Sequence, residues 1–82
     1  MESLSLIQGK FSANEAVDII SNMVQVKIKF HENKITNTSN EEDIKMQEAR
    51  IKELQNDFAE LKKSISSTAG LIDIKAVVTV AH

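Results

Sequence analysis

The chain has 82 residues, with no cysteine, proline, tyrosine or tryptophan, and ten basic against twelve acidic side chains give a formal charge of −2. Disulfides and thiolate metal sites are therefore excluded, and His31 and His82 are too few and too far apart to suggest a zinc cage. The length allows a single domain, residues 1–82, that buries only about 60 to 65% of the surface its unfolded chain exposes, so tight helix packing or self-association must supply the rest.

The chain opens on Ser3-Leu4-Ser5-Leu6, which alternates polar and apolar, followed by Ile7 to Phe11. This pattern predicts a short strand, with a bulge or bend near Gly9. Ser12 and Glu15 then stand at capping-box spacing and mark a helix start, with Phe11 and Ala16 positioned as the accompanying staple. Beyond it, apolar residues from Ala13 to Ile35 cover an arc of about 200° on a helical wheel, wider than one buried face requires. Val24 to His31 also alternates with period two, as a strand would. No breaker or turn pair separates Ser12 from Ile35, which favours helix over 24–31.

Thr36 to Asn40 is a polar connector, and Ser39 with Glu42 repeats the capping-box spacing. Glu41, Glu42 and Asp43 match the positive end of a helix dipole. Ile44, Ile51, Phe58 and Ile65, with Gln47, Leu54 and Leu61 between them, then follow the three-and-four spacing of a heptad. A helix over 41–66 would be about 39 Å long. Glu41 with Lys45 and Glu48 with Lys52 add pairs in the favourable orientation. Gly70 marks a stop, and Ile72, Ile74, Ala76, Val78 and Val80 define the apolar face of a closing strand. The expected fold is α+β and mostly helical: strand, helix, helix, strand, with a long antiparallel hairpin and paired terminal strands.

The Phe-Ser-Ala-Asn-Glu-Ala opening of the first helix and Lys-Ile-Lys-Phe-His at Lys27 to His31, ahead of a charged second helix, resemble a family of small uncharacterised bacterial proteins. Those proteins resemble one another in a strand, a helical hairpin and a closing strand. The resemblance covers roughly residues 7 to 66 and is one of type only beyond that. It implies helix over 24–31 and carries no activity, cofactor or catalytic residue.

Few residues invite chemistry. His31 and Glu32 are adjacent and point about 100° apart on a helix, so they do not converge as an acid–base pair, and a packed or capping His31 is the simpler reading. Lys27 and His31, one turn apart, could share an anion. Glu41-Glu42-Asp43 lacks calcium-loop spacing and reads as a solvated first turn. Two glycines cannot build a phosphate cradle, and no nucleophile-elbow or zinc-protease spacing occurs. An enzyme is the least favoured class, and no cofactor is expected.

The feature that stands out is the helix interface: Ile20, Met23, Val24 and Ile28 on the first helix, and Ile44, Ile51, Leu54, Phe58, Leu61 and Ile65 on the second. Phe58 and Gln47 interrupt the ideal seam, which argues against a simple parallel coiled-coil dimer. The leading expectation is a structural or protein-interaction module that forms a homo-oligomer, dimer or tetramer, or docks a partner protein. A small dimeric DNA-binding regulator with a strand ribbon is the alternative, disfavoured because no block of basic charge exists. A small-molecule binder is a third class. No apolar run reaches membrane-span length, the first 25 residues lack the pattern of a signal peptide, and the missing cysteines suit a reducing compartment, so a cytoplasmic location is expected.

Overall fold

The elements follow one another as β1 (Glu2–Phe11), α1 (Ala13–Thr36), α2 (Glu41–Ser66) and β2 (Ile72–Val80), in a computed structural model that describes residues 1–82. The α+β layout of a helical hairpin closed by two antiparallel terminal strands is thus the observed architecture.

The turn into α1 is held by a complete capping box. Ser12 Oγ accepts from the Glu15 amide at 3.2 Å, and Glu15 Oε1 accepts from the Ser12 amide at 3.0 Å, so two donors of the first turn are satisfied locally. From there α1 runs unbroken through residues 24–31. As a strand, Val24, Val26, Ile28 and Phe30 would share one face. As a helix they divide: Val24 is half-buried and Ile28 buried, while Val26 and Phe30 are exposed. Packing against α2 decides between two locally acceptable conformations: the helix turns Val24 and Ile28 inward and leaves Val26 and Phe30 outside, where a strand would keep all four on one face.

The cap of α2 differs from the expectation. Asn40, and not Ser39, is its N-cap: Asn40 Oδ1 accepts from the amides of Glu42 at 2.9 Å and Asp43 at 3.4 Å. Thr38 Oγ1 in turn accepts from the Asn40 amide at 3.3 Å, which positions the cap one residue later than the Ser39–Glu42 spacing suggests. At the other end Ser67 is the C-cap, and Gly70 lies three residues further on with φ +89°, serving the turn into β2 and not the helix end itself. Of the charged pairs on α2, Arg50 and Glu53 approach to 3.9 Å, whereas the Glu41–Lys45 and Glu48–Lys52 pairs are not within ion-pair distance.

β1 and β2 pair antiparallel from Phe11 opposite Ile72 to Glu2 opposite Val80. The register shifts between Ser5 and Ile7, so the bulge falls at Leu6 and not at Gly9. Its consequence is legible in the pairing. Ile7 and Leu4 are three residues apart and would lie on opposite faces of a regular strand, yet the bulge returns Leu4 to the face shared by Ile7, Ala76 and Val78. Gly9 sits opposite Ile74 with φ +155°, a conformation that L side chains rarely adopt. On the polar face Lys10 and Asp73, directly opposite, approach to 3.6 Å; both are exposed, and such a pair contributes about 0–1 kcal/mol.

The molecule is a slab of 47 × 33 × 13 Å. In a body so thin almost every side chain lies close to a surface, and only Ala16, Ile28, Gln47 and Ile65 are buried.

Candidate interaction surface

The seam between α1 and α2 follows from the two apolar periodicities. Of the residues expected at the helix interface, Ile28 and Ile65 are buried, and Ile20, Val24, Ile44, Ile51, Leu54 and Phe58 are half-buried. Met23 and Leu61 are exposed. The structure therefore collects eight of the ten into covered positions and leaves these two on the outside.

One polar pair spans the seam. His31 Nδ1 lies 2.6 Å from Gln47 Oε1, across 16 residues of sequence. Gln47 is 8% exposed, the only buried polar residue, and no buried polar side-chain atom lacks a partner. With Gln47 Oε1 as acceptor, His31 Nδ1 carries the proton and donates. Both the neutral tautomer protonated at Nδ1 and the imidazolium satisfy this bond. His31 is thus a packed seam residue, and it also lines a shallow groove of about 170 Å³ with Lys27, Arg50, Glu53, Leu54 and Asp57. That groove mixes both signs of charge and holds no unpartnered buried group. No three His, Asp or Glu side chains converge anywhere as a metal site would require. Glu41, Glu42 and Asp43 are exposed in the first turn of α2.

The pKa of Glu15 is displaced. The Ser12 amide, and then the Ser12 hydroxyl, hydrogen-bond its carboxylate and hold it below the usual 4.5. The group is structural: it closes the capping box.

What remains is apolar surface without cover. On the hairpin, Phe30 and Met46 share an open groove of about 460 Å³ with Lys34 and Asp43, and the Lys34 ammonium stands 4.6 Å from the Phe30 ring centre. Met23 and Val26 are exposed on the same helix as Phe30. On the sheet, the half nearer the helices (Ile7, Phe11, Ile72, Ile74, Ala76) is half-buried, whereas the far half is open. Leu4, Val78 and Val80 are exposed on one face, and Val77 is exposed on the other.

The extent of this exposure can be weighed. The solvent-accessible surface is 6458 Å². A compact folded chain of 9.1 kDa exposes about 4,900 Å². The radius of gyration tells the same story: 15.5 Å against about 12 Å for a compact domain of this length. The sequence shows the wide apolar arc of α1 and one apolar face on the closing strand, but not that the far half of that face is left open.

No helix is long and apolar enough to cross a membrane. Comparison with protein-family models, with curated proteins and with solved structures finds no match for this chain.

Proposed function

We propose that this protein is a non-enzymatic structural module whose working form is a homo-oligomer, a dimer or a tetramer, assembled through the uncovered apolar surface of its helical hairpin and the far end of its sheet. The observation that carries this reading is the surface excess. The chain exposes about 1,600 Å² more than a compact protein of its mass, about twice what one partner contributes to a standard stable interface. Four buried residues make a poor core for 82, and the chain has no disulfide or thiolate metal site to replace one. Association is the remaining physical route to stability.

A DNA-binding role draws less support. The polar face of the two-stranded ribbon offers Lys10 and Lys75, and Lys10 is already paired with Asp73. A small-molecule role draws less still, because the grooves on the surface are open and lined mostly by charged and polar side chains rather than enclosed and apolar.

Light scattering coupled to size exclusion tests the proposal, with detection by refractive index because the chain lacks tyrosine and tryptophan. A mass of twice or four times 9.1 kDa at micromolar concentration is expected. A cooperatively folded monomer at that concentration would overturn it.

A further inference from the structure

Resting on the reading just given, we infer that one contact of the assembly is a two-fold pairing of α1 with α1 of a second copy, antiparallel and centred close to Val26.

α1 carries two apolar stripes. Ile20, Val24, Ile28, His31 and Ile35 are covered or half-covered along the seam with α2. Ala16, Ile19, Met23, Val26 and Phe30 follow one another at spacings of three, four, three and four, on a line about 120° around the helix from the first. Cover along this second stripe runs out. Ala16 is fully buried and Ile19 half-buried, whereas Met23, Val26 and Phe30 are 38%, 71% and 54% exposed. A stripe with the spacing of a helix–helix seam, partnered at one end and bare over the remaining two turns, is a seam awaiting another helix.

The occupant is a second copy on two grounds. The first is area: the exposed surface exceeds that of a compact chain by about 1,600 Å², twice what one partner contributes to a standard contact, and Met23, Val26 and Phe30 are part of that exposure. The second is charge along α1. Its N-terminal half carries Glu15 and Asp18, its C-terminal half Lys27, Lys29 and Lys34 with Glu32. Such a helix complements its own reverse. An antiparallel pairing centred there opposes the two helix dipoles and sets Lys34 of each copy level with Ile19 of the other, next to Asp18, so that only Lys27 stays beside its own counterpart at the axis. A parallel pairing would stack lysines on lysines. With the axis near Val26, Met23 of one copy meets Phe30 of the other, a thioether against an aromatic ring.

The absence of native cysteine makes single cysteines clean reporters. Mild oxidation of Val26→Cys should give a disulfide-linked dimer. Asn33→Cys, seven residues along the same line, should not, because its two copies would lie about 21 Å apart. Val26→Glu, at an exposed helical position, should halve the assembly mass and, because association supplies part of the stability, lower the melting temperature. Cross-linking at both positions would overturn the antiparallel pairing in favour of a parallel one. An oligomeric wild type whose mass survives Val26→Glu, with Val26→Cys failing to cross-link, would overturn this interface and leave association standing. A monomeric wild type would overturn both.

Discussion

His31 and Gln47 meet across the seam of the hairpin through a 2.6 Å hydrogen bond between Nδ1 and Oε1, and they form the one polar contact that joins α1 to α2. An all-apolar seam between two helices can slide by a turn at modest cost, because one aliphatic side chain replaces another. A buried amide that must find its partner cannot slide without leaving both groups unsatisfied. The pair therefore sets the register of the hairpin, which in turn sets where the two strands meet.

Removing one partner should cost more than removing both. Gln47→Ala strands the imidazole Nδ1 in the seam and should destabilise by about 1–2 kcal/mol. Replacing both residues together, His31→Leu with Gln47→Leu, should recover most of that loss while loosening the register. A double-mutant cycle by urea denaturation measures the coupling. Additive single effects would mean that the bond contributes nothing to the fold.

Acid should weaken the start of α1. The folded pKa of Glu15 lies below its ordinary 4.5, held there by the Ser12 amide and hydroxyl. A depressed carboxylate contributes stability that is fully present above about pH 4.5 and is lost as pH falls through the lower folded value. Melting curves taken from about pH 6 to pH 3 should show this loss in the wild type and a flatter profile, in that range, for Glu15→Gln. The amide can still accept from Ser12 but does not titrate. Parallel profiles would assign the acid sensitivity to other carboxylates.

Truncating the buried seam should be felt at both ends of the hairpin. Ile28→Ala and Ile65→Ala should each cost about 2–3 kcal/mol, near the low end for such changes, because solvent can reach the cavity in a slab 13 Å thick. The denaturation midpoint reports this directly. A loss below about 0.5 kcal/mol would show that the seam is not the stabilising contact.

Gly9→Ala tests the backbone of β1. The added methyl would stand 3.8 Å from the Phe11 ring, an ordinary contact, so any cost comes from the φ of +155°. A destabilisation on the order of 1 kcal/mol is expected. Circular dichroism should show the sheet intact. A neutral substitution would mean that the strand relaxes to a regular φ at no cost.

Local chemistry in this chain announces itself in the sequence. The Ser12–Glu15 box, the heptad spacing from Ile44 to Ile65 and the alternation from Ile72 to Val80 each depend on neighbours a few residues apart, and each appears where its pattern stands. The α+β order and the pairing of the terminal strands follow from those elements and a short connector. Other features depend on what lies across space. Residues 24–31 suit strand or helix locally, and α2 selects the helix by burying Ile28. The bulge falls at Leu6 and brings Leu4 onto the face of Val78, a placement that only the register with β2 shows. Gln47, an interruption in a heptad when read along the chain, becomes the partner of His31 once the hairpin closes. The exposure of Met23, Val26 and Phe30 likewise belongs to the tertiary structure: a single helix wheel shows a wide apolar arc, but only the position of α2 determines which part of it is left bare.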